Sequence, residues 1–378
     1  MNINSTLKIV CALFLFFLTA SINSQNYFQG ILLDAETLSP IDNVNVFYGN
    51  SGIGTVSNSE GLFELIIPEG IPREKLNFRH LSYEQLSLDN IVEETIYLVP
   101  SVFELEEVVI GDFLKVQKDL LGSFEKNTSK ISSNEKFFYK ESLKENDQYV
   151  NYVEALGVCS INPKGNREVY IRGKRQTEDK SIGFVKFSSN IHNLFKKVDL
   201  VRKSEVLKRV LINESTYKIT LKSLENNNIY EVYAEKSSYN ILRITSNTIN
   251  NQMELIASSQ RGYYAGKFVN VNVYQQGSST DIDFKMVKGK RYINKIVYKV
   301  KLCMQTKDQS LKRTYSWDRF YLNTGFFDGF VNFEAYTRLT ERSNFFDEKI
   351  VNNILDWSAE NKILPIENEL EILNVLNW

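Results

Sequence analysis

The residues able to do chemistry are few and scattered. The chain holds two histidines, His80 and His192, and proton transfer or metal binding near neutral pH draws first on that residue type. Neither stands in a His-x-x-Glu or His-Glu-x-x-His spacing, and no Gly-x-Ser-x-Gly elbow is written anywhere. His80 follows Phe78 in a strand pattern and reads as a sandwich residue rather than a base. His192 opens a helical stretch and reads as a capping or solvated group. Glu93-Glu94 and Glu106-Glu107 are adjacent in strand-like text, so each pair points to opposite faces and cannot flank one bond. Glu141 and Glu154 come from neighbouring strand segments and are a carboxylate pair that could converge, with ion-paired or solvated roles as the alternative.

Cations offer a second possibility. Arg172, Lys174 and Arg175 lie within one short stretch, and Lys196, Lys197, Arg202, Lys203, Lys208 and Arg209 lie within another. Such sets could bind carboxylate or phosphate groups, or simply solvate a sheet. Phe326-Phe327, Phe330, Phe333, Tyr336 and Phe345-Phe346 could dock a sugar, lipid or protein partner, or pack terminal helices onto a sheet. The candidate binding residues are therefore Arg172, Lys174, Arg175, Glu141 and Glu154. No catalytic residue, metal site or cofactor is predicted.

The elements that must position them read mostly as β. Seven short strand-like segments separated by turn chemistry occupy residues 27–98, as in 44–48, which alternates with period two, and 63–67, where Phe63, Leu65 and Ile67 share a face. That pattern predicts a small antiparallel β-sandwich. Residues 111–135 read as a linker with a short helix. From 136 onward longer strands alternate, plainly in 269–273 and 296–301, and predict a large curved antiparallel sheet. An amphipathic helical pattern over 191–209 interrupts it. Beyond 326 the period lengthens, and a helix starting at Ser343 or Asn344 and a last helix after Pro365 are expected. The fold class is thus mainly β, a sandwich over 25–110 followed by a sheet domain over 136–325 and a helical segment over 326–378.

Composition fits this reading. Of 378 residues, 43% are hydrophobic and 24% charged, with 24 phenylalanines and 20 tyrosines against 6 prolines, which favours strands. A net charge of −1 gives no global drive toward nucleic acid or anionic membrane. Lys8, the apolar run 9–20 and the small or polar residues through Ser24 have the layout of a signal peptide. The run is shorter than the ~20 residues a spanning helix needs, so cleavage after Ser24 is expected, with no transmembrane helix thereafter. Cys11 lies inside the apolar run, which argues against lipidation there. Cys159 and Cys303 remain, and pairing or two buried thiols both fit.

One resemblance rests on specific residues. Gly30, Asp34, Pro40-Ile41 and Val44-Asn45-Val46, then Gly54-Thr55, Asn58 and Gly61-Leu62-Phe63, then Leu76-Asn77-Phe78 and Tyr83, resemble the carboxypeptidase-regulatory-like module. That is a transthyretin-like sandwich common in exported proteins of Bacteroidetes. Asn58 and Ser82 depart from the acidic residue and the glycine usual there. The resemblance implies the accessory module alone, not peptidase activity. More loosely, Phe138-Tyr139-Lys140-Glu141, Val153-Glu154-Ala155 and 172–175 are similar to a group of envelope proteins carrying the same module. Together these readings lead us to expect an exported, non-catalytic protein of the periplasm or outer membrane that serves as an accessory or adaptor for a protein or polymer partner. The alternative is a half-barrel carrier of a lipid or lipoprotein. A concave sheet face lined by Phe and Tyr would favour the carrier, a filled interior the adaptor.

Overall fold

The structure is a computed structural model. It describes residues 26–89, 94–101, 107–108, 112–128, 132–162, 165–177, 190–225, 228–255, 271–310, 312–327, 329–341 and 357–375. The predicted signal segment, the helix expected from Ser343 or Asn344, and Phe345-Phe346 lie outside these residues.

Seven strands build the N-terminal module: β1 (Asn26–Asp34), β2 (Asn45–Tyr48), β3 (Gly54–Val56), β4 (Leu62–Ile67), β5 (Leu76–Arg79), β6 (Leu86–Leu88) and β7 (Thr95–Leu98). They form two sheets, ordered β4-β1-β7 and β3-β2-β5-β6. Period-two alternation sends Leu32, Val46, Phe63, Leu65 and Phe78 into one core between them. The sandwich is not wholly antiparallel, because β7 runs parallel to β1, pairing Ile31 with Thr95 and Asp34 with Leu98. Gly61 adopts φ +75°, and a Cβ there would lie 2.5 Å from the Leu32 carbonyl oxygen, so only glycine fits the turn into β4.

The larger part is one sheet of twelve strands. It contains β8 (Glu107–Val108), β9 (Ser133–Glu145), β10 (Gln148–Ile161), β11 (Arg167–Gln176), β12 (Ser204–Asn213), β13 (Thr216–Ser223), β14 (Ile229–Glu235), β15 (Ile241–Leu255), β16 (Val271–Val287), β17 (Lys290–Thr306), β18 (Lys312–Phe326) and β19 (Thr337–Leu339). Their order is β19-β11-β10-β9-β18-β17-β16-β15-β14-β13-β12-β8. The sheet curls around the short helix α2 (His192–Phe195) and the 3-10 turn Lys196–Lys203. His192 Nε2 meets the Leu339 carbonyl oxygen at one end of the order, Phe195 packs edge-on against Tyr321 in the middle, and the turn abuts β13 toward the other end.

Three boundaries differ from the sequence reading. Glu107 and Val108, expected to close the sandwich, pair with β12 in the large sheet. The expected linker carries a 16-residue helix, α1 (Phe113–Thr128), whose Val116, Leu120 and Phe124 are buried in the large core, so it is an integral part of that domain. The expected helical tail contributes a strand, β19, paired to β11, before the 3-10 turn Trp357–Ala359 and helix α3 (Glu367–Val375). No helix among the described residues is long and apolar enough to cross a membrane, which says nothing of strands.

Cys159 and Cys303 are free, buried thiols. β9 and β18 separate their strands, and three strand spacings amount to about 14 Å, beyond the reach of a disulfide.

Candidate functional site

The two modules meet on the convex face of the sheet. Asn45, buried in β2, donates from Nδ2 to Asp283 Oδ2 at 3.0 Å, while Asn294 Nδ2 donates to Asn45 Oδ1 at 2.8 Å. Lys295 Nζ lies 3.1 Å from the same Asp283 oxygen, and Arg243 forks onto Asp281 at 2.7 and 2.9 Å. Arg79 donates to the Phe284 carbonyl oxygen at 2.9 Å. Burial pushes the Asp283 carboxyl up, but Lys295 and Arg243, helped by Asn45, outweigh it and hold the group at about 2.

His80 belongs to this seam. It stands just past β5, and burial, then Arg243 and Lys295, bring its imidazole down to about 4. It is therefore neutral at pH 7, with its ring edge-on to Tyr83. His192, expected to cap or face solvent, is instead held by Leu339, and burial lowers its pKa.

A C-terminal strap covers the other side of the seam. Asn361 accepts from the Ile66 amide at 2.7 Å and donates to the Ile66 carbonyl oxygen at 2.9 Å, so one side chain pairs with the edge of β4 as a strand would. Thr55 donates to the Lys362 carbonyl oxygen at 2.9 Å and Asn58 to that of Leu364 at 3.3 Å. Val56, Phe138, Leu156, Phe320, Leu322 and Ile363 form a small core beneath it.

Between sandwich, sheet and strap opens a cleft of about 830 Å³. One wall comes from the sandwich (Asn50, Ile53, Pro68, Pro72, Glu74), another from the sheet (Lys136, Lys288, Lys290, Tyr292, Phe326, Phe327), and Ala359 to Asn361 close the third. Tyr292 and Phe326 meet edge to face at 4.6 Å, and Lys136 sits 4.5 Å over the Phe327 ring. The acidic groups of this cleft are already engaged. Glu74 accepts from the Asn50 amide at 2.6 Å, and Glu360 pairs with Arg172 at 2.6 Å. Lys288 and Lys290 are exposed and make no ion pair among the described residues. The cleft thus presents partly exposed aromatic faces beside free ammonium groups.

The predicted site residues do not assemble into one site. Glu141 pairs in register with Val153, and Lys140 with Glu154, so the two carboxylates occupy opposite faces. Glu141 is sealed in the concave core, where Tyr139 and the Trp317 indole donate to it. Glu154 accepts from Tyr152 at 2.6 Å and from Arg175 at 2.6 Å. The cationic stretch also divides. Arg172 holds Glu360 of the strap, and the Arg175 guanidinium stacks 4.4 Å over Trp357, while Lys174 pairs with Ala155 on the concave side. Arg172 and Arg175 therefore fix the strap rather than form an open anion site. The second basic set is engaged too, with Lys196 on Glu341, Arg202 on Asp199 and Lys203 on Glu225.

Sequence reasoning reached Phe326-Phe327 as a possible docking surface, and both line the cleft. Lys288 and Lys290 are not among the predicted site residues, and the signal for them is two lysines flanking a glycine at the tip of the β16–β17 hairpin. Phe330 is 96% exposed, and Phe333 stacks on Tyr170 at 4.0 Å. Among the described residues no group of three or more His, Cys, Asp or Glu could hold a metal ion.

No family model and no curated protein matches this chain.

Proposed function

We propose that this is an exported accessory protein of the cell envelope, one that binds a protein or polymer partner in the cleft between its modules and performs no catalysis on it. The observation that carries the reading is the cleft itself. Both modules and the strap build it, and its chemistry is aromatic rings with uncommitted lysines, a surface suited to recognition. Its acids are held by a backbone amide or by an arginine and are poorly placed to shuttle protons.

The carrier alternative fares less well. Its ligand would need room on the concave face, and there Phe124, Phe137, Phe195, Trp317 and Tyr321 pack into one continuous core. Export and a place in the periplasm or at the outer membrane rest on the signal-like residues 1–24 and on the resemblance of 30–83 to an accessory module. A pull-down of the mature chain from envelope extract, run beside a variant with Lys136, Lys288 and Lys290 changed to Glu, tests the reading.

A further inference from the structure

Three strands bring Lys285, Asn323 and Glu135 together at one end of the large sheet. The β17–β18 ladder begins at Lys295 opposite Leu322, so Asn323 has no register partner on β17, and Lys285 reaches it from β16. Lys285 Nζ lies 3.0 Å from Asn323 Oδ1, 2.9 Å from its backbone carbonyl oxygen and 2.8 Å from that of Gly52. Asn323 is fully buried. Its Nδ2 donates to Glu135 Oε2 at 3.0 Å, and the Gly325 amide donates to its Oδ1 at 3.0 Å. Glu135 is 2% exposed, and the Phe326 ring stands 5.2 Å from the amine.

Neither Lys285 nor Glu135 makes an ion pair among the described residues. A buried amine and a buried carboxyl instead share one neutral amide between them. For stability alone this is a poor arrangement, since neither charge is offset at contact distance. For acyl transfer it is complete: a nucleophile, an amide carbonyl polarised by a backbone N–H, and an acid beside the leaving nitrogen.

We propose that Lys285 and Asn323 join in the folded chain through an intramolecular isopeptide bond, with Glu135 carrying the proton. The Lys285 Nζ lone pair attacks Asn323 Cγ while the Gly325 N–H supports the developing oxyanion. The Nζ–Cγ bond forms and the Cγ–Nδ2 bond breaks. Glu135 moves a proton from Nζ to Nδ2, which leaves as ammonia, and the carboxyl returns to its starting state. No oxidant, reductant or cofactor enters. Burial pulls the Lys285 amine down to about 7 and pushes the Glu135 carboxyl up, so both shifts favour the uncharged forms that the step uses. The bond would close 38 residues of chain and fix β16 to β18 under the sandwich turn at Gly52. Such a crosslink suits an exported protein with no disulfide among its described residues.

Peptide mapping of the full mature chain by mass spectrometry tests this. We expect a branched peptide joining Lys285 to Asn323, lighter by one ammonia, about 17 Da, with tryptic cleavage after Lys285 abolished. Glu135→Gln keeps both reactants and should yield the two linear peptides instead. An N-terminal glutamine loses the same mass on cyclising, so the branched peptide decides rather than the intact mass. Linear peptides alone from the wild-type protein would overturn the proposal, whatever the variant does. The branched peptide at full yield in Glu135→Gln would remove Glu135 from it.

Discussion

Asn45 and Asp283 are 238 residues apart in the chain and 3.0 Å apart in space, and that contact makes one body of two modules. Asn45 is held from behind by Asn294, and Asp283 is held by Lys295 and Arg243. The sandwich therefore has no unfolding unit of its own on this face. Replacing Asp283 by Ala leaves Lys295, 1% exposed, without its closest counter-charge, and loss of one partner of a buried pair costs about 3–5 kcal/mol. Urea unfolding followed by near-UV dichroism should show one cooperative transition in both proteins, shifted to lower denaturant in D283A. Two separated transitions in the wild type would refute the single body.

The same seam sets an acid limit. His80 titrates at about 4 in the folded chain against about 6.5 unfolded. A lowered imidazole contributes stability that is intact above pH 6.5 and declines as pH falls toward 4, because the unfolded state takes the proton first. Asp283, at about 2, adds stability that is present above its unfolded value and lost as pH falls through 2. Stability should therefore fall in two stages on acidification, and His80→Phe should shrink the first, leaving the part contributed by the likewise lowered His192. A midpoint that is flat from pH 7 to 4 in the wild type would contradict this.

Arg175 holds Trp357 by stacking and Glu154 by hydrogen bonding. Arg175→Ala leaves the buried Glu154 with Tyr152 alone and frees Trp357. Limited proteolysis should then release the strap segment 357–375 earlier than in wild type, by an order of magnitude in rate if about 1.4 kcal/mol of closure is lost. Equal rates would mean that the strap is held elsewhere.

Gly157 is a test of the large sheet. A Cβ there would lie 2.2 Å from the Tyr170 carbonyl oxygen and 2.7 Å from the Phe137 ring. Gly157→Ala should destabilise by about 1–3 kcal/mol through overpacking. An unchanged urea midpoint would show that β10 and β11 separate there at no cost.

Much of the fold was legible. Alternation located the seven sandwich strands because each buries one face, so that Val46 and Phe63 announce themselves by position. The partnerships were less legible. Nothing in 95–98 says that its neighbour β1 runs parallel to it, and the strap binds through Asn361 and backbone carbonyls, which carry no compositional mark. Glu141 and Glu154 show the limit most clearly. Their separation into opposite faces depends on the register that sets Val153 against Glu141, and one residue of slip would have brought them together. Lys174 and Arg175 divide by the same alternation, but Arg172 joins the face of Arg175 only because the register shifts by a bulge between Ile171 and Gly173, which the sequence does not announce.

The central claim, that the cleft is where this protein meets its partner, is tested most directly by comparing native pull-downs of the wild-type chain and the variant with Lys136, Lys288 and Lys290 changed to Glu, with protein, polymer and lipid all quantified. A defined protein or polymer recovered by the wild type and lost with the variant, at an unchanged unfolding midpoint, is the predicted result. Equal recovery by both chains, or near-stoichiometric lipid in place of such a partner, would contradict it.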